Sequence, residues 1–255
     1  MNLIDSHCHF DDARFDPDRA AAYDRARTAG VVAQIVPAVT RDSWDKLKRV
    51  CREHPGLYPA YGLHPMFIQL HQDSHIDALD RQLTGENAVA VGECGLDFYI
   101  EAPDRERQIE LFEAQLKLAV KHRLPVIIHA RKAVEEVSNS LRRFPGLRGV
   151  LHSYSGSEQQ ARRLIEMGFL LSFGGPITYP GASRLRHLVK QLPLNAIMLE
   201  SDSPDQPDAE NRGGRNEPAL LGRVLNSIAE LRQESAEEIA LQTTANALEL
   251  FGITA

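Results

Sequence analysis

The stretch Ile4-Asp5-Ser6-His7-Cys8-His9 stands near the start of the sequence and places two histidines two positions apart. Alternate side chains of an extended strand point to the same face, so both imidazoles are expected to leave one side of a first strand or of its C-terminal end. Two imidazoles that converge in this way suit a divalent ion such as zinc, iron or nickel. Because two ligands are too few for a metal site, this interpretation depends on ligands from later parts of the chain.

Eight short apolar segments, mostly separated by helical patterns, follow one another along the chain. After the strand that leads into His7, they cover residues 31–39, 57–63, 88–91, 125–128, 149–151, 169–173 and 196–199. The clearest helix is predicted over residues 104–122, because apolar residues recur there on one face. Such alternation predicts parallel βαβ units. Eight of them favour an α/β fold with a single TIM-like (β/α)8 barrel, and a doubly wound open sheet is the alternative.

The composition is that of an ordinary globular protein, with 43% hydrophobic and 25% charged residues. A length of 255 residues allows one large domain or two small ones, and no linker divides the chain. We therefore expect one domain over residues 1–255. The formal net charge of −6 gives no global basic surface, which argues against a passive nucleic-acid binder. It does not exclude an enzyme that meets phosphate through metal ions.

The three cysteines are Cys8, Cys51 and Cys94, and no two of them form a C-x-x-C pair. Neither a disulfide framework nor a structural zinc site is therefore indicated. The sequence shows no signal-peptide pattern and no apolar run of about 20 residues, the length that spans a membrane. We expect a cytoplasmic protein that makes no membrane contact. Cys8 and Cys94 are expected to be small buried side chains, because strand alternation turns each away from its polar neighbour.

Six polar residues share one position, the end of an apolar strand. They are His7, His9, Glu93, His129, His152 and Asp202. In a barrel the active site lies at the C-terminal mouth and draws residues from several strand ends. A mononuclear zinc site needs about four ligands, so six suggest two divalent cations that share a carboxylate. Glu93 is the best candidate for that bridge, and the sequence does not choose among Mg, Mn, Zn, Fe and Ni.

Seven blocks of the sequence occur in a fixed order along almost the whole chain. They are Asp5-Ser6-His7-Cys8-His9, Gly62-Leu63-His64-Pro65, Gly92-Glu93-Cys94-Gly95-Leu96-Asp97, His129, His152-Ser153-Tyr154-Ser155-Gly156, Ser201-Asp202-Ser203-Pro204 and Arg215-Asn216-Glu217-Pro218. In combination these blocks resemble those of the TatD-family metal-dependent hydrolases, within the amidohydrolase-like superfamily. The resemblance implies a TIM-like barrel, divalent metals and deoxyribonuclease activity, often of the 3′-to-5′ exonuclease type. It also implies that the six strand-end residues are metal ligands and that His64 faces the substrate phosphate.

Further roles follow for residues around this site. Asp202 is expected to be a metal ligand and, on one reading, also the proton acceptor for the attacking water. His64 is expected to contact phosphate or to donate a proton to the leaving group; the alternative is a histidine that only precedes a proline turn. The loop of residues 203–217 carries Arg212 and Arg215, whose guanidinium groups suit phosphate oxygens, unless the loop is merely solvated. Arg215 is expected to matter more, because it belongs to a block that resembles the family.

Three classes of function remain open at this point. The first is a nuclease whose substrate is DNA with single-stranded or frayed ends. The second is a metallohydrolase that cleaves an aminoacyl ester, a lactone or an amide, since the activation of water by metals serves these bonds as well. The third is a non-enzymatic binding protein on a degenerate barrel, which would be supported by a missing ligand; none is missing here. The sequence does not indicate an oligomeric state.

Overall fold

A computed structural model describes residues 1–85 and 87–254, and within these ranges the chain forms eight strands. The strands are β1 Leu3–Asp5, β2 Val31–Pro37, β3 Leu57–Tyr61, β4 Ala90–Asp97, β5 Val126–Arg131, β6 Gly149–Leu151, β7 Phe169–Phe173 and β8 Ile197–Leu199. They pair in parallel in chain order, from β1 to β8. The predicted helices lie between them.

The α-helices of the described residues cover the outside of the sheet. They are α1 Arg19–Thr28, α2 Trp44–Glu53, α3 Ser74–Gly85, α4 Arg105–His122, α5 Val134–Leu141, α6 Glu158–Glu166, α7 Ser183–Gln191, α8 Leu221–Arg232 and α9 Ala236–Phe251. Asp104 caps α4 by accepting the backbone N–H of Arg107. No helix in the described parts of the chain has the length and apolar character that a membrane span requires.

Backbone hydrogen bonds join the two ends of the sheet. The N–H of Asp202 donates to the carbonyl oxygen of His7 at 2.9 Å, and the N–H of His9 donates to that of Ser203 at 2.8 Å. The chain just beyond β1 is thus bonded to the chain just beyond β8. This closure excludes an open doubly wound sheet and confirms the predicted (β/α)8 barrel.

An apolar cluster fills the inside of the barrel, with a residue from every strand. These residues are Ile4, Ala33, Ala60, Ala90, Ile127, Val150, Leu170 and Met198. Leu250 and Phe251 of α9 belong to the same cluster. Asn246 of α9 donates to the carbonyl oxygen of Ile197, at the start of β8 (2.7 Å). Helix α9 therefore covers the N-terminal end of the barrel, and the C-terminal mouth is left for polar residues.

Strands β4 and β5 extend further than their apolar patterns predict. The sequence places Glu93 and His129 at strand ends, but both lie within strands that continue to Asp97 and Arg131. The physical reason is that polar residues take the inward positions near the mouth, so the apolar pattern stops before the strand pairing does. Between β3 and β4 the chain forms a 3-10 turn over Pro65–Leu70, followed by α3.

A bulge in β4 decides which side chain enters the barrel. Val91 is opposite Val126 and Cys94 is opposite Ile128, so three steps along β4 match two steps along β5. One extra residue reverses the facing of the residues beyond it. Glu93 is thereby directed inward, while Cys94 belongs to the outer core with 0% exposure.

Candidate metal centre

The six strand-end residues come together around Glu93 at the C-terminal mouth. Glu93 Oε2 lies 3.1 Å from His7 Nε2 and 3.4 Å from His9 Nε2. Glu93 Oε1 lies 2.8 Å from His152 Nε2 and 3.2 Å from His129 Nδ1. The carboxylate, 1% exposed, thus stands between two histidine pairs, with one oxygen towards each.

Asp202 completes the group on the side of the first histidine pair. Its Oδ1 lies 3.5 Å from His7 Nε2 and 3.7 Å from His9 Nε2. Its Oδ2 accepts a hydrogen bond from the side-chain amide of Gln206. Asp202 also has φ +53, a left-handed conformation that aspartate tolerates better than most residues. The hydrogen bond from its N–H to the His7 carbonyl fixes Asp202 against the histidine segment.

The outer ring nitrogens of two histidines determine what the inner nitrogens can do. His9 Nδ1 lies 3.2 Å from the carbonyl oxygen of Pro37, and His129 Nε2 lies 2.9 Å from Asp97 Oδ2. Both partners only accept, so each of these nitrogens carries a proton. In the neutral imidazoles, His9 Nε2 and His129 Nδ1 then present lone pairs to Glu93. An acceptor faces an acceptor at both carboxylate oxygens, which is the arrangement that a cation satisfies.

The buried polar atoms of the cluster point to the same conclusion. Glu93 Oε2, His7 Nδ1 and His152 Nδ1 are buried and form no hydrogen bond with any described part of the chain. An unused carboxylate oxygen of this kind normally costs free energy. Imidazole nitrogens and carboxylate oxygens together are donors that suit divalent transition metals. The residues present therefore fit the divalent cations expected from the sequence.

The pKa values reflect this crowding. Burial opposes the ionisation of Glu93, but the surrounding histidines, led by His64 and His152, hold the pKa of its carboxyl well below the usual range. Burial also opposes protonation of His9 and His152, yet contact with Glu93 raises the pKa of His9 to about 9 and that of His152 to about 10. Burial, with the charge of His152, lowers the pKa of His7 to about 4. The carboxylate thus stays ionised, and without a metal the protons on His9 and His152 supply the positive charge that a bound cation would replace.

His64 differs from the other histidines because its outer nitrogen is an acceptor. The backbone N–H of Met66 donates to His64 Nδ1 at 3.1 Å, so the proton of the neutral ring lies on Nε2. Nε2 is 2.9 Å from Glu93 Oε1, and His71 donates to the His64 carbonyl oxygen at 2.9 Å. Burial lowers the pKa of His64 to about 4. His64 therefore presents an N–H donor to the site, whereas a metal ligand would present a lone pair.

Several supporting residues were not singled out from the sequence. Glu200 is fully buried, accepts the N–H of Ser153 at 2.7 Å and lies 3.9 Å from His152 Nδ1. Burial raises the pKa of Glu200 to about 8. Gly95 has φ +137, and a Cβ there would lie 2.1 Å from the carbonyl oxygen of His129. The available signals were that Glu200 adjoins the Ser201–Asp202 pair and that Gly95 belongs to the block Gly92–Asp97.

Asp97 contacts both a site histidine and the loop that follows β4. Its Oδ2 accepts from His129, and its Oδ1 accepts the backbone N–H groups of Tyr99 (2.9 Å) and Ile100 (3.3 Å). One carboxylate thus orients a site histidine and shapes the loop after β4.

Cys8 is fully buried and its sulfur lies 3.1 Å from Ser203 Oγ, away from the histidine cluster.

The two loop arginines have very different surroundings. Arg215 forms a forked pair with Asp18, at 2.6 and 2.8 Å, and also contacts Glu217 at 2.6 Å. Its charge is therefore already matched, and the contacts tie the loop to the start of α1. Arg212 is exposed, lies 5.9 Å from the ring centre of Tyr179, and pairs with no carboxylate in the described chain. The sequence ranked Arg215 above Arg212 as a phosphate contact, and within the described chain Arg212 is the one of the two whose charge has no carboxylate partner.

A (β/α)8 barrel with a histidine–carboxylate cluster at its C-terminal mouth is typical of metal-dependent hydrolases. The family model described as "TatD related DNase" matches residues 4–252, and the chain belongs to this family.

Individual relatives agree with this assignment. The chain is 41% identical over 254 residues to the "Uncharacterized metal-dependent hydrolase YjjV" of Escherichia coli K12, covering 98% of each chain. It is 33% identical over 258 residues to the "3'-5' ssDNA/RNA exonuclease TatD" of Rahnella sp. Y9602, covering 95% of each. The crystal structure of Escherichia coli YjjV superposes with a TM-score of 0.95 at 39% identity, covering 99% of this chain and 98% of that one. This protein is accordingly a metal-dependent hydrolase.

Proposed function

We propose that the protein is a deoxyribonuclease that removes nucleotides from the 3′ end of single-stranded DNA. The observation that carries the proposal is the position of Glu93, with a bare imidazole nitrogen facing each of its oxygens. This arrangement suits two cations that share one carboxylate, which is the metal arrangement of many phosphodiesterases. The family's description as DNases and the printed name of the Rahnella relative support the choice of a nucleic-acid substrate.

The proposed ligands form two groups that meet at Glu93. His7, His9 and Asp202 would hold one cation with Glu93 Oε2. His129 and His152, whose facing ring nitrogens lie 3.2 Å apart, would hold the other with Glu93 Oε1. When bound, two cations at such a site attract a phosphate oxygen, acidify the attacking water and stabilise the leaving oxygen.

The protein's own side chains then handle protons and substrate. Asp202 accepts the proton of the attacking water, while Gln206 holds its second oxygen in place. The water oxygen bonds to phosphorus as the bond from phosphorus to O3′ breaks, and O3′ takes a proton from solvent. His64 donates its Nε2–H to a non-bridging phosphate oxygen. It does not act as an acid, because Nδ1 accepts from Met66 and the loss of the Nε2 proton would leave an imidazolate.

Positive charge at the mouth supports a polyanionic substrate. The protein carries a formal net charge of −6, so DNA must be attracted locally. Arg212 offers an unmatched guanidinium on the loop that follows Asp202. We propose Arg212 as the phosphate contact on this loop, with Arg215 holding the loop in position through Asp18 and Glu217.

The decisive experiment uses one oligonucleotide labelled at the 3′ end and the same oligonucleotide labelled at the 5′ end. The metal-free protein is loaded in turn with Mg²⁺, Mn²⁺, Zn²⁺, Fe²⁺ and Ni²⁺. The proposal expects the 3′ label to be released first as a mononucleotide, and the 5′-labelled strand to shorten stepwise. D202N, checked for folding by its melting temperature, serves as the inactive control. An oligonucleotide left intact under every metal, alongside turnover of aminoacyl esters, lactones or amides, would assign the site to the alternative class of hydrolase.

A further inference from the structure

Exposed apolar side chains are concentrated on two neighbouring loops at the mouth. In the described chain, seven large hydrophobic residues are exposed, and four of them follow β3 or β4. These four are Met66, Phe67, Leu70 and Tyr99. Single exposed apolar side chains are common on protein surfaces, but a cluster of them beside a polar site marks a binding surface.

Tyr99 has the features of a stacking surface. Its side chain is 58% exposed, and the guanidinium of Arg131 lies 3.8 Å from the centre of its ring. The ammonium of Lys132 lies 5.8 Å from the same centre. Neither cation forms a salt bridge with a carboxylate within the described residues, although Arg131 is close enough for its charge to act on Asp97. An exposed aromatic ring beside cations that form no salt bridge is the combination that single-stranded nucleic acids recognise.

The position of Tyr99 is fixed relative to the metal centre. Asp97 bonds His129 with one oxygen and the backbone N–H of Tyr99 with the other. Arg131 ends β5 two residues beyond His129, on the strand that pairs with β4, and at about 3.3 Å per residue it stands roughly 7 Å further towards the mouth. The backbone of Arg131 thus lies one step above His129, and its guanidinium meets the ring of Tyr99. This is where a base would project from a nucleotide whose phosphate is held below.

We propose that Tyr99 and Arg131 form a stacking site for a nucleobase of single-stranded DNA, next to the phosphodiester that is cleaved. The inference rests on the proposed nuclease function and adds to it the residues that hold the base. Arg131 covers one face of the ring, the base stacks on the exposed part, and Arg131 and Lys132 neutralise the neighbouring phosphate. Stacking of this kind accepts any base, so the site favours unpaired strands without reading their sequence.

The test measures stacking directly, through the fluorescence of 2-aminopurine at the 3′ end of an oligonucleotide. Binding is measured in the D202N background, where cleavage is slow, and turnover is measured in the otherwise wild-type protein. Stacking on Tyr99 is expected to quench the fluorescence. Y99A is expected to lose the quench and to weaken binding by about tenfold, the usual effect of one base–aromatic stack, whereas Y99F keeps both. R131A is expected to lower the slope of the log binding constant against log salt concentration by about one.

Two controls separate a stacking role from a structural one. L241A removes an exposed apolar side chain on α9 and should change neither quench nor affinity. An oligonucleotide that lacks the 3′ base should bind Y99A and its parent equally. An equal loss on both oligonucleotides, or a Y99A protein with full quench and affinity, would overturn the stacking site. If the protein with wild-type Asp202 cleaves no oligonucleotide, the nuclease proposal fails, and the quench still decides whether the base stacks on Tyr99.

Discussion

Replacing Asp97 with asparagine is expected to weaken one of the two proposed metal positions and to spare the other. Asparagine offers one acceptor oxygen and one NH₂ group in place of two acceptors. If its oxygen stays with the N–H groups of Tyr99 and Ile100, its NH₂ faces the Nε2–H of His129, donor against donor. His129 must then move its proton to Nδ1, the nitrogen that faces Glu93. The lone pair that we assign to a cation is lost.

The expected loss of metal affinity can be taken from the usual contribution of a carboxylate that orients a metal-binding histidine. Removing the carboxylate behind one metal-binding histidine typically lowers affinity by about 10- to 100-fold, or about 1.4–2.7 kcal/mol. We expect this loss at the position served by His129 and His152. The position served by His7 and His9 has no contact with Asp97 and should keep its affinity, because the outer nitrogen of His9 is held by Pro37.

The assay is a calorimetric titration of metal-free wild-type protein and D97N with Mn²⁺. Wild type should bind two ions, and D97N should bind one of them with unchanged affinity. D104N is the matched control. Asp104 caps helix α4 by accepting the N–H of Arg107 at 3.0 Å, and asparagine fills this role equally well. A D97N protein that binds both ions as tightly as wild type, or weakens both equally, would refute the reasoning from the His129 proton.

Three further outcomes test the remaining assignments. E93Q removes the shared charge, so elemental analysis should find at most one metal ion per chain and oligonucleotide cleavage should be lost. Two tightly held ions in E93Q would contradict the proposal that Glu93 is shared by both cations. D202N should lower kcat by about two orders of magnitude or more, the usual worth of a positioned acid–base group, with little change in KM; a change in KM alone would contradict this role. R212A should lower the slope of the log binding constant against log salt concentration by about one. R215A should keep this slope and lower the melting temperature, because Arg215 is paired with Asp18 and Glu217. The opposite pattern would support the ranking expected from the sequence.

The barrel and the members of the site were accessible from the sequence because their signals are local. Apolar runs and helical periodicity depend on near neighbours, and eight repeats of that alternation lead to a closed parallel barrel. Helix α4 illustrates this: it was predicted over residues 104–122 and begins at Arg105, immediately after its cap, Asp104. The strand-end histidines and acids were also visible, since each polar residue interrupts an apolar run. Parallel strands then bring those ends to one mouth without further information.

What the tertiary structure alone decided depends on contacts between residues far apart in the chain. The inward direction of Glu93 comes from the pairing of β4 with β5, where one extra residue sets the register. The proton position on His129 follows from Asp97, a partner 32 positions away that spacing does not reveal. Arg215 looks like a free cation in the sequence, yet Asp18, 197 positions away, neutralises it. Sequence therefore determined which chemical groups reach the mouth, and folding determined their direction and charge, because direction and charge are set by long-range neighbours.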